Sequence, residues 1–66
     1  MKITLNGGEF EIAGAVGLPA FLENLGLGGK RVVVEIDEQA VFPRDYETTE
    51  VREGARIEVV TLAAGG

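Results

Sequence analysis

The 66-residue sequence contains no cysteine and no histidine, and it contains no serine either. Without cysteine, disulfides, thiolate nucleophiles and cysteine-based zinc sites are all excluded. Without histidine, the chain lacks the usual general base and the commonest metal ligand. Nucleophilic catalysis needs a nucleophile beside an oriented base, and threonine and tyrosine are present here without a visible base. We therefore expect that this protein is not an enzyme.

Positive charge and long apolar runs are also scarce. Eleven acidic residues against six basic ones give a net charge of −5, which repels the phosphate backbone of nucleic acids. The longest apolar run, 32–34, is far shorter than the roughly 20 residues that span a bilayer. The first residues, Met1-Lys2-Ile3, lack the apolar stretch of a signal peptide. We expect a cytoplasmic protein that binds neither nucleic acid nor membranes.

What the chain does have is 45% apolar residues, in a length suited to one small domain. A chain of this size buries about 60% of the surface that its unfolded form exposes, so the core is small. Strand-like alternation ends near residue 62. The sequence therefore predicts a folded domain over 1–62 and a short tail over 63–66.

The first twelve residues predict a β-hairpin. Polar and apolar residues alternate over 2–5 and again over 9–12. Asn6-Gly7, between the two segments, tolerates the positive φ angles of a tight turn. Gly8 fits either the turn or a bulge.

A helix is predicted after a connector at 13–17. Leucine and phenylalanine recur at i, i+3, i+4 and i+7 from Leu18 to Leu25, which is the spacing of one helix face. Pro19 fits the first turn, and Gly26 fits the position just beyond the end.

Two more strands, over 30–37 and 56–62, are indicated by their β-branched residues. Between them the pattern breaks up. Val41-Phe42 suggests a short edge strand ended by Pro43, and 44–53 suggests a turn or a single helical turn.

This order of elements predicts an α+β fold with one helix in the concavity of a small mixed sheet. The long connection allows the last strand to lie parallel to the first through a right-handed crossover. The expected core consists of Ile3, Leu5, Phe10, Ile12, Leu18, Phe21, Leu22, Leu25, Val32, Val34, Ile36, Ile57 and Val59.

The chain ends on Gly65-Gly66, directly after Ala63-Ala64 and the last strand. Glycine has no Cβ, so such a segment can enter a narrow channel without steric clash. A carboxylate presented in this way suits activation in another protein's active site.

Together, these features resemble the ubiquitin-like β-grasp sulfur carriers, and most closely the ThiS family of thiamine biosynthesis. The resemblance covers essentially the whole chain. It depends on the order of the following segments: the first strand leading to Asn6-Gly7, the leucine-rich helix, 32–37 with Val41-Phe42-Pro43-Arg44 and Tyr46, Val51-Arg52-Glu53-Gly54, 57–60 and the closing Ala64-Gly65-Gly66.

The resemblance implies a defined chemical cycle. An E1-like adenylyltransferase, ThiF, would use ATP to adenylate the Gly66 carboxylate, and sulfur from a cysteine persulfide would replace AMP to give a thiocarboxylate. Thiazole synthase, ThiG, would then receive the sulfur. In this scheme the carrier needs no cofactor, because ATP and metal belong to the activating partner.

Three apolar residues lack an expected interior partner: Val33, Val60 and Leu62. Together with Phe42 they could form a docking surface for the activating enzyme, because exposed apolar patches often mark interaction sites. Isolated exposed valines are also ordinary.

For two further motifs, a structural role is a better explanation than ligand binding. The carboxylates of Glu35, Asp37 and Glu38 could bind a metal, but they are more typical of a solvated strand end. The glycines at 26–29 do not have the spacing of a phosphate-binding loop and fit a helix end.

Other functions share these features. The related carriers of tRNA thiolation and molybdopterin synthesis have the same ending, although the latter tend to carry proline before the diglycine. A ubiquitin-like modifier would be joined to lysine through Gly66. An interaction module would keep full activity without Gly65 and Gly66.

Overall fold

The computed structural model describes residues 1–62. Its main sheet has five strands in the order β2-β1-β7-β4-β5. These strands are β1 (Lys2–Leu5), β2 (Gly8–Glu11), β4 (Val32–Ile36), β5 (Gln39–Val41) and β7 (Arg56–Thr61). Strands β1 and β7 are parallel, while the other neighbours are antiparallel. The predicted mixed sheet is confirmed, and β7 is its central strand.

Two tight turns define the hairpins of this sheet. Asn6 and Gly7 both have positive φ angles, 49° and 82°, as a two-residue hairpin turn with the right twist requires. Gly8 pairs with Leu5, so it begins β2 and forms no bulge. Asp37 and Glu38 form the equivalent turn between β4 and β5, with φ angles of 51° and 69°.

Helix α1 (Leu18–Asn24) begins and ends where its sequence signals indicate. Pro19 lies in the first turn, where its missing N–H removes no helical hydrogen bond. Gly26 follows the end of the helix with a φ of 79°. The Gly26 and Leu27 N–H groups donate to the carbonyls of Glu23 and Leu22, each at 2.9 Å. This pair of bonds is the Schellman motif, which satisfies carbonyls that a helix end leaves unpaired.

The single core lies between α1 and one face of the main sheet. Seven of the expected residues are buried: Ile3, Leu18, Phe21, Leu22, Val34, Ile57 and Val59. The other expected residues are only partly buried and pack at its margin: Leu5, Phe10, Ile12, Leu25, Val32 and Ile36. Two buried residues, Val51 and Ala55, were not expected.

Val51 is buried because of two short elements that sequence reasoning missed. Strands β3 (Val16–Gly17) and β6 (Glu50–Val51) pair antiparallel in a small second sheet. The connector at 13–17 therefore contains a strand. The segment after β5 contains a 3-10 helix, Pro43–Thr48, and β6, which is more structure than the expected single turn.

The strand limits also differ in detail from the predictions. Strand β4 begins at Val32 and not at Lys30, and β5 ends at Val41, so Phe42 lies outside it. Within residues 1–62, no helix has the length and apolar character needed to cross a membrane.

Candidate functional site

Strand β7 is held by neighbours on both sides and leads to the C-terminal residues. Thr61 is opposite Val32 in the antiparallel ladder, and the Leu62 N–H donates to the Arg31 carbonyl at 2.9 Å. The backbone is therefore hydrogen-bonded to the sheet as far as Leu62. The predicted reacting residue Gly66 and the tail residues Ala63, Ala64 and Gly65 lie outside the described residues.

Four large apolar residues of the described chain are exposed, and they are the four that the sequence suggested as a docking surface. Their exposed fractions are 47% for Val33, 52% for Phe42, 57% for Val60 and 47% for Leu62. Val33 and Val60 are direct cross-strand partners, and Leu62 follows Val60 by two residues on the same side of the chain. We call these four residues the apolar patch.

Phe42 extends the apolar patch to the segment just after β5. Its backbone is extended, with φ −85° and ψ 150°. Because Val34 pairs with Val41, the next register position places Phe42 opposite Val33. The guanidinium carbon of Arg44 lies 5.0 Å from the centre of the Phe42 ring, within the range of a cation–π contact. The apolar patch therefore extends from β7 across β4 to the residue just after β5, on the sheet face away from α1.

A pair of like charges borders the apolar patch on this face. Glu35 and Glu58 are direct cross-strand partners, two residues along each strand from Val33 and Val60. Both are exposed, and neither takes part in a salt bridge within residues 1–62. Like charges directly opposite each other destabilise a sheet, so this pair weakens the fold.

Basic residues lie at the other border, where β7 ends. A cleft of about 590 Å³ is lined by Leu27, Gly29, Lys30, Arg31, Thr61 and Leu62. Lys30, Arg31 and Leu62 also line a second cleft of about 380 Å³ beside Tyr46. Leu62 thus leaves the sheet between an apolar surface and two cationic side chains.

The side chain of Asn6 supports β7 in a way that sequence reasoning missed. Its Oδ1 accepts a hydrogen bond from the Val59 N–H at 2.8 Å, and its Nδ2 donates to the Val59 carbonyl at 3.2 Å. Strand β1 ends at Leu5, so the amide serves both polar groups of Val59 just beyond the end of β1. The Asn6-Gly7 pattern indicated the turn, but no local signal pointed to a contact 53 residues away.

The carboxylates after β4 have structural roles. Asp37 Oδ1 accepts a hydrogen bond from the Arg56 N–H at 3.0 Å, and Asp37 and Glu38 form the β4–β5 turn. No group of three or more acidic, histidine or cysteine side chains that could hold a metal ion occurs within residues 1–62. Among the glycines at 26–29, Gly26 ends α1.

The fold class was established by comparison with solved structures. A crystal structure of the thiamine biosynthesis protein ThiS from Geobacter metallireducens superimposes with a TM-score of 0.85, at 23% identity and with complete coverage of both chains. The solution structure of a thiamine biosynthesis protein from the same organism gives a TM-score of 0.82 at 23% identity, covering all of this chain and 88% of the other. The protein has the ubiquitin-like β-grasp fold.

The family is established by a sequence model. The model of the ThiS family matches residues 3–66. This chain therefore belongs to the ThiS family. A curated relative, a thiazole synthase from Paramagnetospirillum magneticum, is 30% identical over all 66 residues. The chain spans about a fifth of that relative's length, 20%.

Proposed function

We propose that this chain carries sulfur for thiazole formation as a thiocarboxylate on Gly66. The family match continues through the diglycine to residue 66, so the segment that would react belongs to the matched region. We further propose that residues 1–62 form the folded domain that partners bind and that presents the four-residue tail. The observation that carries the proposal is the hydrogen bond from Leu62 to Arg31, because it fixes the base of that tail, at the end of β7, to the residue just before β4.

The chemistry explains why activation comes first. A carboxylate is a poor electrophile, since its charge is delocalised and its leaving group would be oxide. Transfer of AMP from ATP gives a mixed anhydride with a stabilised leaving group and releases pyrophosphate. The terminal sulfur of a persulfide then displaces AMP at the Gly66 carbonyl carbon. A thiol cleaves the resulting sulfur–sulfur bond and leaves the thiocarboxylate. Water must be excluded, because hydrolysis of the mixed anhydride would return the free carboxylate.

The dimensions of the tail suit delivery into an enclosed site. Four extended residues reach on the order of 13 Å at about 3.3 Å each. A partner that covers the apolar patch would meet the base of the tail at Leu62, which belongs to that patch. Gly66 would then lie well inside the partner while the folded domain stays outside.

Two partners and one sulfur source follow from this scheme. An E1-like, ThiF-like adenylyltransferase would dock on the apolar patch and provide the site for ATP and its metal. A persulfide donor would provide sulfur. A ThiG-like thiazole synthase would accept it, and the whole-chain similarity to a segment of a thiazole synthase supports this partner. The chain itself acts as a modified and regenerated cosubstrate and not as an enzyme, in keeping with its lack of cysteine, histidine and serine.

The proposal is tested by the intact mass of the carrier after incubation with an E1-like adenylyltransferase, ATP and a persulfide donor. We expect a mass gain that corresponds to replacement of one oxygen by sulfur, located at Gly66 by fragmentation. The modified carrier should then lose that sulfur when thiazole synthase and its substrates are added.

A matched pair of variants makes the test specific. One extra alanine after Gly66 should abolish the mass gain, because Gly66 would then no longer carry the terminal carboxylate. A tag before Met1 should leave the mass gain unchanged. An unmodified mass under conditions that convert a known ThiS carrier would contradict the proposal. So would accumulation of isopeptide conjugates to lysine in place of thiocarboxylate.

A further inference from the structure

The cationic residues of this acidic protein are distributed unevenly. The chain has six basic residues and a net charge of −5. Three of the six border the apolar patch: Lys30 and Arg31 line the clefts beside Leu62, and Arg44 lies over Phe42. We call these three residues the basic rim. Half of the chain's basic residues are thus near the part of the apolar patch formed by Leu62 and Phe42.

The other basic residues lie at the opposite end of β7. The carbonyls of Lys2 and Arg52 accept hydrogen bonds from Gly54 and Ala55, just before that strand begins. Six residues separate the start of the strand at Arg56 from Leu62, a distance of about 20 Å in a β-strand.

Lys30 and Arg31 differ from Lys2 and Arg52 in their partners, while Arg44 of the basic rim lies 3.9 Å from Asp45. Lys2 pairs with Glu9 at 3.4 Å and Arg52 pairs with Glu50 at 2.9 Å. Within residues 1–62, Lys30 and Arg31 have no acidic side chain within salt-bridge distance. Their charge is therefore available to an approaching molecule.

We propose that the basic rim receives acidic side chains of the activating enzyme around the entrance to its adenylation site. This inference depends on the proposed sulfur-carrier function and adds the chemistry of the partner's surface. The enzyme would present an apolar centre to the apolar patch and carboxylates beside it. Such an arrangement, an apolar centre with a polar border, is typical of protein interfaces.

The length of the tail indicates that the basic rim contacts a carboxylate of the partner protein and not the phosphate of AMP. The phosphate would be bonded to Gly66, on the order of 13 Å beyond Leu62 when four residues are extended. A lysine side chain spans only about 6 Å. Lys30 and Arg31, beside the base of the tail, therefore reach groups at the entrance and not the nucleotide.

Charges at the border of an interface act mainly on the association rate constant and on its dependence on salt concentration. Exposed charge pairs contribute modestly, so loss of two of them corresponds to a roughly 3- to 30-fold weaker complex at low ionic strength. Salt screens exposed charges, with a Debye length of about 10 Å at 0.1 M and about 3 Å at 1 M. The effect should therefore disappear at high salt.

The test compares two double variants that change the net charge equally, from −5 to −7. Lys30→Gln with Arg31→Gln removes charge from the basic rim. Lys2→Gln with Arg52→Gln removes it from the opposite end. Stopped-flow association with the purified E1-like adenylyltransferase is measured over a series of salt concentrations, and thermal unfolding of each carrier verifies that it is folded.

We expect slower association and a shallower salt dependence for the first double variant, and a change below about twofold for the second. Equal effects of the two double variants would overturn the inference, because total charge and not its location would then matter. Tighter binding by the first would also overturn it, since the cations would then hold the carrier's own tail. If the unaltered carrier is never thiocarboxylated, the proposed function fails. If it is converted while the two double variants bind alike, only the basic rim assignment fails.

Discussion

The side chain of Asn6 offers a measurable test of how the central strand is stabilised. In the β4–β7 ladder, hydrogen bonds run from Leu62 to Arg31 and from Asp37 to Arg56. By the two-residue alternation of antiparallel pairing, Val59 lies at a position that does not hydrogen-bond to β4. Its N–H and carbonyl therefore point toward β1, which has already ended. The Asn6 amide supplies both missing partners.

Asn6→Gly removes both hydrogen bonds while keeping a residue that accepts the φ of 49°. Each bond contributes about 0.5 to 1.5 kcal/mol, so we expect a loss of about 1 to 3 kcal/mol in the free energy of unfolding. Domains of this size have a total of roughly 3 to 10 kcal/mol. The corresponding fall in Tm is roughly 5 to 20 °C. Asn6→Ala should lose about 1 kcal/mol more, because alanine is strained at positive φ.

Glu38→Gly is the matched control. Glu38 also has a positive φ, 69°, but its side chain makes no hydrogen bond within residues 1–62. Glycine there should leave stability unchanged or raise it slightly, by about 1 kcal/mol at most. Urea and thermal unfolding followed by circular dichroism measure all three variants. If Asn6→Gly behaves like Glu38→Gly, the two amide bonds do not stabilise β7 and the reasoning is wrong.

Two further predictions concern the outer sheet face. Val60→Asp should reduce thiocarboxylate formation at least about tenfold, while lowering the unfolding free energy by only about 1 to 2 kcal/mol through the loss of a β-branched residue opposite Val33. The control Thr48→Asp, on the 3-10 helix, should leave formation unchanged, and equal rates for the two variants would argue against docking on the apolar patch. Glu58→Gln should stabilise the protein by about 0.2 to 1 kcal/mol at low salt by removing the like-charge pair with Glu35. That gain should be largely lost near 1 M salt. A gain of the same size from Glu53→Gln in urea unfolding would mean that general charge and not this pair is responsible.

Much of the fold follows from short-range patterns in the sequence. The alternation at 2–5 and 9–12, the turn residues Asn6-Gly7 and the leucine spacing of α1 each act within a few residues of chain. These signals placed the hairpin and the helix within a residue or two of their observed limits. The exposed positions of the apolar patch followed too, because strand periodicity assigns each residue to a face. Whether that patch docks a partner stays a prediction.

The tertiary structure decided what depends on distant parts of the chain. Strands β3 and β6 have two residues each, too few to show any periodicity, and they exist because Val16 and Val51 meet across the fold. That pairing is also why Val51 is buried.

The same holds for contacts around the central strand. The amide of Asn6 reaches Val59 only because β1 and β7 are neighbours in the sheet. The basic residues at 30–31 lie beside Leu62 only because β4 and β7 pair antiparallel. Local sequence determines which conformation a segment prefers and which side of it is apolar. Only the packed sheet determines which segments lie together. The local sequence pattern of a strand does not specify which distant strand pairs with it.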